Sequence, residues 1–142
     1  MSRYVLQLMA EQIAQIRLFP GVDRLLPELA DRGLTLAVVS SNSRENVCRV
    51  LGPANTACVR YFECGVSLFG KAAKLRKVLR QSGARPAETI MIGDEIRDLQ
   101  AARAVHIAAG AVTWGYNHPA ALKAHAPDVV FARVDEIAEK LA

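Results

Sequence analysis

The stretch "ETIMIGDEIRDLQAA", residues 88–102, decides the fold. Ile90, Met91 and Ile92 form a short apolar run of the kind that is buried on both faces of a sheet. Gly93 ends the run, and two aspartates follow four residues apart, Asp94 and Asp98. Residues 95–104 read as a helix. Asp94 then falls at the carboxyl end of a strand, and Asp98 falls one turn into the next helix, able to face the same crevice.

The same alternation runs outward in both directions. Downstream, "HIAAGAVTWG" reads as a strand and loop, "PAALKAH" as a short helix, "DVVFAR" as a strand and 134–142 as a final helix. Upstream, 71–82 is helical and stops near Gly83, and "FECGVS" is a weaker strand. "TLAVVSS", residues 35–41, is too short and too β-branched for a helix. Asn42 with Glu45 fits a capping box opening a helix through Leu51. Residues 22–32 carry Leu25, Leu26 and Leu29 on one helical face before Gly33. Val5, Met9, Ile13 and Ile16 predict a further helix over 4–18, ended by Phe19-Pro20-Gly21. Continuous apolar strands between helices predict a single α/β domain over 1–142. Its form is a three-layer Rossmann-like parallel sheet with helices on both faces and ligands at the carboxyl ends of its strands.

Composition narrows the function. The chain has 142 residues, 51% hydrophobic and 23% charged, with no repeat and no low-complexity tract. No apolar run approaches the ~20 residues of a membrane helix, and the first residues lack a signal-peptide pattern, so a cytoplasmic protein without membrane contact is expected. Cys48, Cys58 and Cys64 form no CxxC pair and read as reduced thiols near the core. The net charge of +4 raises nucleic acid as a partner. The densest basic group, Lys71, Lys74, Arg76, Lys77 and Arg80, shares a helix with Leu75, Val78 and Leu79, so most of it reads as a solvated face. No aromatic platform accompanies it, and no nucleic-acid partner is expected. His106, His118 and His125 have no ligand spacing, and Trp114 to Asn117 either line the pocket mouth or pack over the sheet end.

Three features carry chemistry. Asp94 and Asp98 would repel unless a cation or proton is shared between them, and hard oxygen ligands suit Mg²⁺. Equally, Asp94 as N-cap with Glu95 in the first turn would account for the same residues. Ser40, Ser41, Asn42 and Ser43 end a strand just before a helix, where hydroxyls and backbone N–H groups form a phosphate site; more small polar residues stand there than a cap needs. Lys71 opens a helix, an unfavourable place for a cation unless an anionic partner is near.

A strand ending in Ser, a lysine opening a helix and a strand ending in GDxxxD, in that order, resemble the haloacid dehalogenase superfamily of phosphohydrolases. "FPGVDRLLPELADRGLTLAVVSSNS" and "GDEIRDLQAARAVHIAAGAVTWGYN" look most like its phosphoglycolate-phosphatase-like branch. The similarity spans residues 19–142. It implies a Mg²⁺-dependent hydrolase of small phosphomonoesters. Ser40 would hydrogen-bond the phosphoryl group, with Ser41 and Asn42 beside it. Lys71 would neutralise the phosphate, with Lys74 as the alternative lysine. Asp94 would ligate Mg²⁺, and Asp98 would support it, directly or through water.

The resemblance also exposes a gap. The family's first motif is a strand ending in DxD, whose first aspartate is the nucleophile. The aspartates here are Asp23, Asp31, Asp94, Asp98, Asp128 and Asp135, and no two stand two apart. Little or no turnover is therefore expected from this chain alone. Residues 1–18 read as the remnant of a helix joining a cap to the core. The first, central strand of the sheet would be missing, leaving its neighbours to pair directly or another segment to fill the slot. Failing that, a homodimer or a partner chain would complete the sheet. Four readings follow: a truncated piece of a phosphatase, a non-catalytic phosphate- or Mg²⁺-binding or regulatory protein, one half of a split enzyme, or a basic nucleic-acid module.

Overall fold

The structure, a computed structural model, describes residues 3–6, 21–114 and 118–141. Six parallel strands form one sheet: β1 Arg3–Leu6, β2 Thr35–Val39, β3 Val59–Glu63, β4 Thr89–Gly93, β5 Ala108–Val112 and β6 Val129–Phe131. Their order is β3-β2-β1-β4-β5-β6. The helices are α1 Val22–Asp31, α2 Arg44–Cys58, α3 Gly70–Ser82, α4 Ile96–Ala104, α5 Pro119–Ala124 and α6 Val134–Lys140.

Alternation along the strands builds two cores. Leu36, Val38, Ile90 and Ile92 join Leu25, Leu26, Leu29, Val47 and Ile137 on the face covered by α1, α2 and α6. Ala37, Val39 and Met91 join Leu75, Val78, Leu99 and Leu122 on the face covered by α3, α4 and α5. Period-two side-chain direction in a doubly covered sheet requires both sets to be apolar, which is why the strands read as unbroken apolar runs. Gly110 of β5 lies against the first core; a Cβ there would stand 2.9 Å from the Phe131 ring.

The structure corrects the expectation that the first, central strand of the sheet is missing. Arg3–Leu6 pairs in parallel with β2 on one side and β4 on the other, Leu6 opposite both Val38 and Ile92. This also replaces the start of the helix expected over 4–18; its remaining residues, 7–18, lie outside the described residues. An open slot would leave two buried rows of N–H and C=O groups unpaired, and a short extended segment satisfies both at once. Of the alternatives open for that slot, direct pairing of its neighbours, another segment of the chain, or a second copy or partner chain, the structure shows another segment of the chain.

Other boundaries shift less. Ser43, not Asn42, is the N-cap of α2, its hydroxyl accepting from the Asn46 N–H at 3.1 Å. The helix breaks at Gly52, whose positive φ of 78° ends the first segment after Leu51, and a second segment runs on to Cys58. The weak strand sits at Val59–Glu63, upstream of most of "FECGVS". Cys48, Cys58 and Cys64 are free and half-buried, and the latter two pack against the first core. Trp114 packs against the same core, while 115–117 are outside the described residues. No described helix is long and apolar enough to cross a membrane.

Candidate functional site

With strand order 3-2-1-4-5-6, the direction of winding reverses between β1 and β4, and ligands of such sheets sit at the carboxyl ends around that point. The ends of β2 and β4 flank β1 there, about 10 Å apart across two strand spacings. Helices α2 and α4 start directly from these ends, and α3 starts nearby from the loop after β3.

At the end of β4, Asp98 is the hub. It is fully buried, and Asp94 and Glu95 are 5% and 4% exposed. Asp98 Oδ2 accepts from the backbone N–H groups of Asp94 at 3.1 Å and Glu95 at 3.0 Å. Its Oδ1 lies 2.5 Å from Lys71 Nζ. Glu95 is the N-cap of α4, and its side chain accepts from the Asp98 N–H, forming a reciprocal capping box. The cap therefore belongs to Glu95, not to Asp94. Glu95 Oε2 also accepts from Arg97 at 2.6 Å, and Oε1 stands 4.0 Å from Lys71. Gly93 makes this packing feasible: a Cβ on it would stand 2.6 Å from Asp98 Cβ and closer still to the carboxylate. Burial pushes the Asp98 carboxyl up to about 6, against the pull of the Lys71 ammonium and the Glu95 N–H, while Asp94 adds to the rise.

At the end of β2 the materials are neutral. Ser40 is fully buried; its N–H donates to Glu63 O at 3.1 Å, and its hydroxyl accepts from the Asn42 N–H at 3.1 Å. Asn42 is 7% exposed, and its carbonyl accepts from the Gly65 N–H at 2.6 Å. Ser41 is exposed at the tip of this turn. Lys74 lies beneath, with Nζ donating to Ser40 O at 2.8 Å and to Gly65 O. Burial lowers the pKa of this ammonium, and burial raises the neighbouring Cys64 thiol to about 11.

Ser40, Asn42, Lys71, Asp94 and Asp98 thus gather at the strand ends. Lys71 and Lys74 turn inward from the basic helix, while Arg76, Lys77 and Arg80 form its exposed face. The spacing gave no hint of Glu95 as cap and bridge, of the steric role of Gly93, or of the Gly65 carbonyl. Among the described residues no group of three His, Cys, Asp or Glu side chains could hold a metal. The donor set nevertheless fits Mg²⁺ in part. Mg²⁺ needs only one or two carboxylates with waters and ligand oxygens, and Asp94 offers one. Asp98 fits poorly as a direct ligand, because both its oxygens already accept hydrogen bonds.

The chain belongs to the haloacid dehalogenase-like hydrolase family, whose pattern it matches over residues 1–112. Among individual proteins it is 39% identical over 114 residues to the phosphoglycolate phosphatase of Synechococcus elongatus, covering 80% of this chain and 54% of that protein. It is 33% identical over 126 residues to that of Pectobacterium atrosepticum, covering 84% of this chain and 53% of that one. The chain spans about half the length of the curated relatives it matches. In fold it resembles a haloacid dehalogenase-like hydrolase from Streptococcus pneumoniae, with TM-score 0.81 at 23% identity over 92% of this chain and 62% of that one. The D,D-heptose 1,7-bisphosphate phosphatase of B. bronchiseptica, solved with magnesium and phosphate, superposes with TM-score 0.78 at 15% identity over 99% and 98% of the two chains.

Proposed function

We propose that the crevice at the ends of β2 and β4 is a Mg²⁺-assisted phosphomonoester site of the phosphoglycolate-phosphatase type. In this chain it binds phosphate without turning substrate over. The observation that supports this reading most is the pairing, across β1, of a neutral hydroxyl-and-amide turn at Ser40–Asn42 with a buried carboxylate at Asp94.

Ser40 would donate its hydroxyl proton to a phosphoryl oxygen while continuing to accept from Asn42. The exposed Ser41 turn adds donors at the start of α2, where the helix dipole favours an anion. Asp94 would hold the cation, with Asp98 keeping its backbone in place. Lys71 stands at the same rim with its charge shared with Asp98. Bound Mg²⁺ would neutralise charge on the phosphoryl oxygens and orient them. Phosphoryl transfer depends largely on such positioning and charge neutralisation. The covalent route also needs a carboxylate nucleophile, and the chain has no DxD pair to supply it.

Calorimetric titration with inorganic phosphate and MgCl₂, beside a hydrolysis assay on 2-phosphoglycolate and p-nitrophenyl phosphate, tests both parts. Mg²⁺-dependent phosphate binding, weakened by Asp94→Asn, is expected, with no turnover above background. Silence to both ligands at millimolar concentration would remove the site assignment. Turnover in the ordinary enzymatic range of about 1–10³ s⁻¹ would remove the claim of inactivity.

A further inference from the structure

Arg44 is the first residue of α2, just beyond the buried Asn42 and the exposed Ser41. Its guanidinium lies over the ring of Phe62, 4.7 Å from the centroid. Phe62 is half-buried near the end of β3, level with Val38 of β2, and packs against the first core. The stack therefore sets Arg44 on the β3 side of the Ser40–Asn42 turn. Asp94, Asp98 and Lys71 belong to the other side, toward β4.

This is an unfavourable place for a cation. The first turn of a helix carries the positive end of its dipole, which stabilises an acid rather than a base. No acid of the chain offsets the charge. Glu63, next to Phe62, pairs with Lys77 at 3.3 Å. Among the described residues Arg44 has no ion pair, and no acceptor takes its N–H groups. The two lysines that turn toward the crevice are engaged differently: Lys71 with Asp98, and Lys74 with the Ser40 and Gly65 carbonyls. Stacking on Phe62 occupies a face of the guanidinium. Its N–H donors lie in the plane and point outward from the edge, so the stack holds the group without consuming them. A planar fork held this way matches the geometry of a carboxylate or a phosphate.

We propose that Arg44 is a specificity-determining residue that binds a second oxyanion on the ligand whose phosphoryl group enters the Ser40–Asn42 turn. The ligand class is a phosphomonoester carrying a further anionic group, carboxylate or phosphate, a short spacer away, as against an alkyl or polyol phosphate. The proposal rests on the phosphate site assigned above. With the phosphoryl group between the turn and Asp94, the second group extends toward β3, where the Phe62 stack presents the guanidinium. The two sides of the crevice then divide the ligand: the β4 side meets the phosphoryl group and its cation, and the β3 side selects what the phosphoryl group is attached to.

The test measures the affinity of the full chain in MgCl₂ for four probes by calorimetry. Inorganic phosphate reads the phosphate site alone, and ethyl phosphate adds a neutral tail. 2-Phosphoglycolate adds a carboxylate, and ethane-1,2-diol bisphosphate adds a second phosphate. Wild type should bind at least one of the two doubly anionic probes about fivefold or more tighter than ethyl phosphate, and the tighter of the two identifies the second anion. Arg44→Met should bring that ratio to within twofold of unity while leaving inorganic phosphate and ethyl phosphate within twofold of wild type. Arg44→Lys, which keeps the charge but not the planar fork, should restore part of the ratio. If Arg44→Met does not fold, Arg44→Gln takes its place with the same expected ratio. A wild type that binds phosphate but shows no preference for a second anion overturns the proposal and leaves the phosphate site standing. So does a preference that survives Arg44→Met, or a variant that weakens all four probes alike. A wild type that binds none of the four removes the phosphate site and the proposal together.

Discussion

At the carboxyl end of β4 the site is made of charged side chains that satisfy one another, whereas at the end of β2 it is made of backbone groups, a hydroxyl and one ammonium. Asp98, Lys71, Glu95 and Arg97 form a closed set of ion pairs and caps. Ser40, Asn42 and Gly65 form a chain of neutral hydrogen bonds over Lys74. The contrast separates two tasks. A network of buried charges fixes one geometry and tolerates little change, because removing either partner strands the other. A turn built from amides and a hydroxyl keeps donors for a ligand.

The contrast predicts its largest effect at Asp98. Asp98→Ala removes the acceptor of the Asp94 and Glu95 N–H groups and strands Lys71. A loss of about 3–5 kcal/mol in unfolding free energy is expected. In a cycle with Lys71→Met, the double variant should lose clearly less than the sum of the singles. Strict additivity in urea unfolding would mean that the ion pair does not hold the β4 end together.

The next effect is a pH dependence with a definite sign. Burial raises Asp98 from 3.8 to about 6, so the folded protein keeps a proton that the unfolded chain has released. The associated stabilisation is complete below the unfolded value and is lost as pH rises through about 6. Relative to Asp98→Asn, which cannot titrate there, wild type should lose about 3 kcal/mol between about pH 4 and pH 7. Wild type gaining on the variant over that range would show that the Lys71 pair outweighs burial.

A smaller loss is expected on the neutral side. Ser40→Ala leaves the Asn42 N–H without its hydroxyl acceptor and should cost about 1–2 kcal/mol. Its effect on phosphate affinity should exceed that of Ser43→Ala, although both remove one hydroxyl from the same run. Equal effects on affinity would blur the distinction between the buried and the capping serine.

Much of this arrangement was legible in the chain and some was not, for physical reasons. Runs such as Ile90–Ile92 and Leu36–Val39 announce strands because both faces of the sheet demand apolar residues. The four-residue step from Asp94 to Asp98 places both on one side of a helix start. Arg3–Leu6 was misread because four residues are too few to express a period, and pairing with strands about 30 and 85 positions away overrides local preference. The capture of Asp98 by Lys71, 27 residues away, is likewise tertiary. So is the choice of carbonyl partners by Lys74, which no spacing on α3 distinguishes from Lys71.

The smallest effect separates two caps that the sequence could not. In the run Ser41-Asn42-Ser43 each residue type caps helices well, and Asn42 with Glu45 has capping-box spacing. The structure gives the role to Ser43, with its hydroxyl 3.1 Å from the Asn46 N–H, while Asn42 faces inward and holds Gly65. Ser43→Ala should therefore cost about 1 kcal/mol, a fall in Tm of about 3–5 °C, and leave phosphate affinity within about twofold. Glu45→Ala should cost only the few tenths of a kcal/mol that an acidic residue gains in a first helical turn. The reverse ranking in thermal unfolding would return the cap to Asn42. It would free Ser43 for the ligand and erase the division between a turn that holds the helix and a turn that holds the anion.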